Sequence, residues 1–202
     1  MKQFTENTLK KSQYVDAIKY FVTNFDLESA FPNCKIVKYA NLEIYDTIYD
    51  LLPNRIDFCF VLTESKYNQG HWTALIRKDN KFEYFDSYSD SPKSILDFIP
   101  NYMNKQLGNN WSEDLGKIIK SIKPTDKFMF NKTALQQEME GINTCGRWCI
   151  LRVATFLKET MDNKQFVSYI KKQQRKVKRP LDEVITMLVY FFYIKLIYNV
   201  SL

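Results

Sequence analysis

The apolar positions of the chain fall into strand-like and helical stretches. Ile56 to Leu62 is a nearly continuous run of apolar and β-favouring residues, which is typical of a buried strand. Two further β-prone runs, Trp72 to Arg77 and Phe82 to Phe85, flank the polar residues 78–81, and this pattern predicts a hairpin. Tyr14 to Phe25 instead has apolar residues at helical spacing and predicts an amphipathic helix.

Three other segments add to the predicted pattern. Leu42 to Leu52 favours a helix that ends before Pro53, and Lys127 to Leu135 favours a strand. Gly146 to Lys158 has no helix breaker in its interior and predicts a buried helix that begins just after Cys145. Strands and helices are mixed without a regular βαβ alternation, so the sequence predicts an α+β fold.

Length and composition predict one domain over residues 1–202. The chain has 202 residues, of which 45% are hydrophobic, and only five glycines and six prolines, with no linker-like stretch. Met1 to Lys11 is polar and does not resemble a secretory signal, so we expect a protein that is not secreted. The apolar run Ile185 to Tyr198 is shorter than a membrane span and contains Lys195, which favours a buried helix, or a helix plus a strand, and no membrane contact.

The formal net charge of +6 favours acidic partners such as nucleic acid. The alternative for the densest group of basic residues is a solvated helix face without a partner. We call this group the basic cluster, and it consists of Lys171, Lys172, Arg175, Lys176, Lys178 and Arg179.

Cys145 is the candidate nucleophile among the four cysteines. A cysteine in the first turn of a helix faces unsatisfied backbone N–H groups and the positive end of the helix dipole, and both favour the thiolate. Gly146 beside it would let a substrate backbone approach closely. The alternative is a small buried side chain without chemistry. The chain has one histidine and no Cys-x-x-Cys pair, so we expect no metal site, and without a secretory signal we expect no structural disulfide.

His71 and Asp86 are the candidate base and its orienting acid. A nucleophilic cysteine needs a base, and His71, the single histidine, opens the first strand of the hairpin. With the turn near residues 79–80, residues 71 and 86 are expected close to opposite each other, where Asp86 could orient the imidazole. The alternatives are an ordinary surface or core histidine, and an aspartate that caps a turn with Ser87.

Gln136 and Gln137 are the candidates for the oxyanion hole. They precede Cys145 by nine and eight residues. A side-chain amide there, together with the backbone N–H of Cys145, would stabilise the oxyanion of an acyl-transfer reaction. The residues themselves leave open which of the two glutamines serves.

The order of these motifs resembles a known family. Gly70-His71-Trp72, Phe85-Asp86-Ser87, a glutamine and Thr144-Cys145-Gly146 follow one another as in the adenovirus-type and SUMO-protease-type cysteine peptidases. The resemblance covers about Arg55 to Leu157. It implies a papain-like cysteine protease core, in which a mixed sheet has flanking helices and the nucleophile lies at the N-terminus of a central helix.

The resemblance also implies a role for each motif residue. His71 would be the general base, Asp86 its orienter and Cys145 the nucleophile, and Trp72 would pack beside the imidazole. The glutamine of the family usually stands where this chain has Glu138 and Met139. Gln137 is nearer to that position than Gln136 and is slightly favoured on this ground.

The implied function is the maturation of virus particles. Proteases of this type from double-stranded-DNA viruses, virophage-like ones among them, cut capsid and core precursors, so we expect a capsid precursor as substrate and the virion or the interior of the infected host cell as location. No cofactor is implied, although DNA or a peptide could activate the enzyme, and the basic cluster would then contact viral DNA. The alternatives are an isopeptidase for SUMO- or ubiquitin-like modifiers and a non-catalytic, basic nucleic-acid-binding protein on a degenerate protease fold.

Overall fold

The computed structural model describes residues 16–97, 99–108, 114–159 and 161–198, with the backbone alone for residues 159 and 191–198. Met1 to Lys11, on which the expected lack of a secretory signal rests, lies outside the described residues. The chain forms two compact units: one contains the residues up to Pro32 and those from Leu135 onward, and the other is Asn33–Ala134. A compact unit need not fold independently, so one domain over residues 1–202 stays a prediction.

Helices and strands follow one another without a repeating order. In chain order they are α1 (Asn24–Ala30), β1 (Lys35–Lys38), a 3₁₀ helix (Tyr39–Ile44), α2 (Ile48–Leu51), β2 (Ile56–Lys66), β3 (Gln69–Lys78), β4 (Lys81–Phe85), α3 (Asn101–Gln106), α4 (Asp114–Lys120), β5 (Lys127–Phe130), α5 (Cys145–Glu159), α6 (Asn163–Val177) and α7 (Leu181–Tyr198).

The unit Asn33–Ala134 is built on a five-stranded mixed sheet with the strand order β1-β2-β3-β4-β5. The inner pairs β2–β3 and β3–β4 are antiparallel, whereas the edge strands β1 and β5 run parallel to their neighbours. This mixed sheet with flanking helices confirms the predicted α+β class.

The predicted hairpin is confirmed and corresponds to β3 and β4. Lys78 pairs with Lys81, so the turn consists of Asp79 and Asn80. Asp79 adopts a left-handed φ of 53°, a conformation that Asp tolerates better than most residues. The predicted strand Ile56 to Leu62 is also confirmed, and β2 extends beyond it to Lys66.

One face of the sheet carries the core of this unit. Side chains from four of the strands pack there against the 3₁₀ helix, α2 and α4, with full or nearly full burial: Val37, Cys59, Val61, Leu75, Phe82, Tyr84, Leu42, Ile48, Leu51, Leu115 and Ile118. The continuous helix predicted over Leu42 to Leu52 is wrong. It is divided in two because Thr47 caps a new helix, α2, through a reciprocal capping box with Asp50.

The strand predicted over Lys127 to Leu135 is shorter than expected and ends at Phe130. The next residue, Asn131, uses its side-chain amide to bind the backbone of Asp86, where β4 has also ended. The side chain therefore replaces the next backbone pair of the ladder.

The other unit consists of helices α1, α5, α6 and α7. Helix α5 begins at Cys145, in agreement with the predicted helix from Gly146 to Lys158, and it packs against α1 and α7. The run Ile185 to Tyr198 lies in the single helix α7. Among the described residues no helix is both long and apolar enough to cross a membrane.

The helix predicted over Tyr14 to Phe25 is wrong in its second half, and residues 14–15 lie outside the described part. Residues 16–19 are helical, but the chain leaves the helix at residues 20–23. Thr23 then starts α1 through a capping box with Asp26, whose carboxylate accepts the Thr23 backbone N–H at 2.7 Å.

Candidate active site

His71 and Asp86 form a buried hydrogen-bonded pair at one end of the β3–β4 hairpin. His71 Nε2 lies 3.1 Å from Asp86 Oδ2, and the two side chains are 6% and 0% exposed. Ala74 pairs with Phe85, so continuing the register puts Asp86 level with Thr73. The two residues are thus diagonal neighbours instead of opposite ones, a separation that long side chains can still bridge.

The carboxylate of Asp86 is held in place from several sides. Oδ1 accepts the backbone N–H of Tyr88 at 2.7 Å, and Oδ2 is 3.4 Å from the Tyr84 hydroxyl. The backbone N–H of Asp86 donates to Asn131 Oδ1 at 2.9 Å, and the Asn131 amide donates back to the Asp86 carbonyl. Asp86 therefore stabilises its own turn, as the capping alternative expects, and contacts the histidine as well.

The hydrogen bond to Asp86 selects one tautomer of His71. A carboxylate accepts and cannot donate, so Nε2 carries the proton and Nδ1 becomes the basic nitrogen. The Tyr88 ring stacks on the imidazole at 5.0 Å between centroids and 26° between planes. The ring expected beside the imidazole was Trp72, but successive residues of a strand point to opposite faces, and Trp72 lies on the other face of β3.

Gly70 sets the spacing of β2 and β3 next to the histidine. A Cβ at this position would lie 2.0 Å from the Thr63 carbonyl oxygen, and Thr63 is the residue that pairs with His71. The β2–β3 register shifts between Glu64 and Lys66, immediately beyond this point. Glycine is required because the backbones approach too closely for any side chain.

Cys145 lies in the other compact unit, as the first residue of the 15-residue helix α5. The carbonyl of Thr144 accepts the first helical hydrogen bond, from the Trp148 N–H at 3.0 Å. Cys145 is therefore in the first turn, where backbone N–H groups and the helix dipole favour a thiolate. Cys149, one turn further along, is fully buried.

Gly146 is covered by the chain itself and does not face open space. A Cβ on Gly146 would lie 2.5 Å from the Cβ of Val22, which corrects the expectation that a substrate backbone approaches there. Hydrogen bonds to its backbone carbonyls hold the segment 17–22 in this place. Asn143 donates to the carbonyls of Ile18 and Lys19, and Arg147 donates to those of Tyr20 and Ala17.

The two candidate glutamines differ in environment, although both lie in the same unit as Cys145. The Gln136 side chain is 5% exposed, and its Nε2 donates to the Ile142 carbonyl at 3.2 Å. The Gln137 side chain is exposed, whereas its backbone N–H donates to Asp182 Oδ2 at 3.1 Å. Burial and a fixed amide thus distinguish Gln136 from its neighbour.

All six residues of the basic cluster are exposed, on the C-terminal half of α6 and in the turn after it. Arg179 forms an ion pair of 3.1 Å with Glu183. No group of three His, Cys, Asp or Glu side chains suited to a metal ion occurs in the described part of the chain.

Three residues around these groups were not predicted from the sequence: Tyr88, Asn131 and Asp182. Tyr88 follows Asp86 by two positions, which is the spacing of a turn closed by an aspartate side chain. The sequence therefore contained a local indication that Asp86 binds the Tyr88 backbone. Asn131 and Asp182 each contact a residue 45 positions away, and local patterns carry no signal for such contacts.

These features define an α+β protein with a mixed sheet, a buried His–Asp pair and a cysteine that begins a helix. No protein-family model matches the chain. It is 34% identical over 182 residues to the uncharacterized protein V9 of Sputnik virophage, an alignment that covers 89% of this chain and 99% of V9. The chain therefore belongs to the family of V9, which links it to virophage proteins.

Proposed function

We propose that the protein is a cysteine endopeptidase with a papain-like core that cleaves viral capsid or core precursors during virion maturation. The buried hydrogen bond of 3.1 Å between His71 Nε2 and Asp86 Oδ2 carries the proposal. A fixed carboxylate that orients an imidazole is what a nucleophilic thiol requires of its base. The position of Cys145 at the start of α5 supports the same chemistry.

In the proposed reaction the Cys145 thiol transfers its proton to Nδ1 of His71, and the thiolate attacks the scissile carbonyl carbon. The resulting imidazolium is stabilised by Asp86, which stays ionised. When the carbon–nitrogen bond breaks, His71 protonates the leaving amine and a thioester remains on Cys145. His71 then removes a proton from water, which attacks the thioester and releases the acid and the thiol.

We propose Gln136 as the side-chain donor of the oxyanion hole, together with the backbone N–H of Cys145. An oxyanion donor is effective when it is preorganised and shielded from water. Gln136 is buried and its amide is oriented by the Ile142 carbonyl, whereas the Gln137 side chain is exposed. Gln137, favoured by its spacing alone, is the second candidate.

The relationship to a virophage protein supports a substrate and a location connected with virus particles. The precursor of the major capsid protein is the proposed substrate, and the virion or the interior of the infected host cell is the proposed place of cleavage. An isopeptidase for SUMO- or ubiquitin-like modifiers would use the same residues. Cleavage of modifier fusions in preference to the capsid precursor would favour that alternative.

The first experiment measures the alkylation rate of Cys145 against pH and the cleavage of the capsid precursor in the same preparations. Mass spectrometry assigns the alkylated residue. We expect fast alkylation at pH values well below those at which an ordinary cysteine ionises, and slow alkylation in His71→Ala. Precursor cleavage should be lost in His71→Ala and in Cys145→Ala.

Cys149→Ala is the matched control, because it removes a buried cysteine one turn away on the same helix. This variant should retain cleavage. A wild-type protein that titrates as an ordinary thiol and leaves the precursor intact, with and without added DNA or virion peptide, would exclude the protease. The non-catalytic nucleic-acid-binding protein would then be the remaining alternative.

We also propose that the basic cluster contacts viral DNA. Six exposed cations on one helix and its following turn form a suitable surface for phosphates. Affinity for double-stranded DNA should fall steeply with salt, because each phosphate contact releases counterions. Replacement of Lys171, Lys172, Arg175 and Lys176 by Gln should make the affinity less dependent on salt. An unchanged salt dependence would exclude the basic cluster as the DNA-binding surface.

A further inference from the structure

Asp182 is a buried carboxylate with several hydrogen bonds at the start of helix α7. Asp182 is only 1% exposed to solvent. Oδ2 accepts the backbone N–H of Gln137 at 3.1 Å, and Oδ1 accepts the Thr144 hydroxyl at 2.5 Å. Oδ1 also lies 3.4 Å from Nε1 of Trp148, which is a longer and weaker contact.

The hydrogen-bond partners of Asp182 lie on both sides of Cys145 in the sequence. Gln137 belongs to the segment that carries the candidate oxyanion amide, Thr144 directly precedes the candidate nucleophile, and Trp148 is in the first turn of α5. The two oxygens of one side chain thus join the glutamine segment to the start of the helix. We infer, on the basis of the proposed protease function, that Asp182 is a positioning residue that aligns the oxyanion donors with the Cys145 turn.

The chemistry of the contacts favours a carboxylate at this position. An ionised carboxylate only accepts hydrogen bonds, so it can serve a donor on each oxygen at once. Such charge-assisted bonds are shorter and stronger than those between neutral groups. A buried charge requires several of them, because its removal from water is costly. Asparagine can accept on one side only. With its oxygen toward Thr144 and Trp148, asparagine loses the bond to Gln137. In the opposite orientation its NH2 group can donate to the Thr144 hydroxyl, but it faces the Trp148 N–H, so one donor lacks its acceptor in either case and the negative charge is lost.

Asp182 does not touch the reacting atoms in this scheme, so its effect must be separated from a loss of folding. Alkylation of Cys145 is a direct displacement and needs no oxyanion hole, whereas peptide cleavage does. A displaced glutamine segment should therefore lower kcat for cleavage without slowing alkylation to the same degree. General unfolding would lower both rates together.

The experiment compares Asp182→Asn with Thr186→Val in the full chain, with the capsid precursor as substrate and iodoacetamide as thiol probe. Thr186 Oγ1 donates to the Asp182 carbonyl at 2.7 Å, so its replacement weakens the same helix and leaves the carboxylate in place. We expect Asp182→Asn to lower kcat by about 10- to 100-fold, the scale of a small misplacement of catalytic groups. KM and the alkylation rate should change by much less, and Thr186→Val should retain kcat.

Thr144 provides a second pair of variants in case Asp182→Asn does not fold. Thr144→Val removes the hydroxyl that donates to Asp182, and Thr144→Ser keeps it. The valine variant should lose kcat, and the serine variant should recover most of it.

The outcomes separate the two proposals. If the wild type cleaves the precursor and kcat is unchanged in Asp182→Asn and Thr144→Val, the positioning role alone is overturned. Equal losses of kcat in Asp182→Asn and Thr186→Val would also overturn it, because both would then act through helix stability. A wild type without activity and without a reactive Cys145 would overturn the protease function, and the positioning role with it.

Discussion

Asp86 lies diagonally across the β3–β4 pair from His71, with 3.1 Å between Oδ2 and Nε2, and both side chains are on the face that carries the core of their unit. This relationship depends on the two-residue turn of Asp79 and Asn80, which sets the register of the hairpin. A slip of one residue would turn one partner to the opposite face of the sheet. The local turn chemistry therefore decides whether the pair can form.

Replacement of Asp86 by Asn should abolish most of the activity while the fold persists. Asparagine has nearly the same size, but it carries no charge to stabilise the imidazolium and it allows the wrong tautomer of His71. We expect kcat for precursor cleavage to fall by about 100- to 10,000-fold. Steady-state kinetics and circular dichroism provide the measurement. Asp97→Asn, the same change at an exposed position, should leave kcat unaltered, and equal activities in the two variants would contradict the proposed role.

Replacement of Gly70 by Ala should disturb both stability and catalysis. The new Cβ would meet the Thr63 carbonyl oxygen at 2.0 Å, and a backbone atom cannot move aside as a flexible side chain can. We expect the free energy of unfolding to fall by about 1–3 kcal/mol. Because Thr63 pairs with His71, kcat should also fall in the fraction that is still folded. If the variant has the denaturation midpoint and kcat of the wild type, β2 and β3 can move apart at this point without a loss of stability.

The contact between Gly146 and Val22 can be tested by a double-mutant cycle. Gly146→Ala places a Cβ 2.5 Å from the Cβ of Val22, and only Val22→Gly removes that atom. Each single variant should be destabilised, but Gly146→Ala should cost about 1 kcal/mol less in the Val22→Gly background. Chemical denaturation of the four proteins gives the coupling energy. Strictly additive effects would mean that the segment 17–22 does not pack against the first turn of α5.

Alkaline pH should destabilise the unit Asn33–Ala134 through Cys59. Burial raises the pKa of this thiol from its ordinary 9.0 to about 12. Between these values the unfolded chain loses a proton that the folded protein retains, so the free energy of unfolding falls as the pH rises, by up to about 1.4 kcal/mol per pH unit. Cys59→Ala should reduce this slope, as measured by denaturation from pH 8 to about 11.

Tyr39 adds to the same loss of stability. Burial raises its pKa from 10.0 to about 12, so Tyr39→Phe should reduce the slope above pH 10 in the same direction. Asp97→Asn leaves both groups in place and removes neither a thiol nor a phenol, so it serves as a control. A slope that is identical in the wild type and in the Cys59 and Tyr39 variants would contradict the burial of these two groups.

One Thr→Val substitution should stabilise the protein and another should destabilise it. The Thr73 hydroxyl is buried and has no hydrogen-bond partner among the described residues, so Thr73→Val should raise the free energy of unfolding by about 1 kcal/mol. The Thr186 hydroxyl donates to the Asp182 carbonyl, so Thr186→Val should lower it by a similar amount. Denaturant titrations measure both, and equal signs would contradict the assigned contacts.

Local patterns predicted the parts of the fold that neighbouring residues determine. The hairpin of β3 and β4, the strand from Ile56 and the helix at Cys145 were all found, because apolar periodicity and turn residues act over short distances. The same patterns failed at residues 20–23 and 45–47, where a helical spacing of apolar residues continues across a break. Thr23 and Thr47 each start a new helix there, and the capping boxes outweigh the periodicity.

Residue type and local spacing thus identify His71, Asp86 and Cys145 as candidates and predict the elements that carry them. The contacts that hold these residues follow from packing between distant segments: Tyr88 against the imidazole, Asn131 on the Asp86 backbone, and Asp182 between Gln137 and Thr144. A buried polar group must find a hydrogen-bond partner wherever packing places one. Packing brings together residues 45 positions apart, and no local pattern of apolar and polar residues records that meeting.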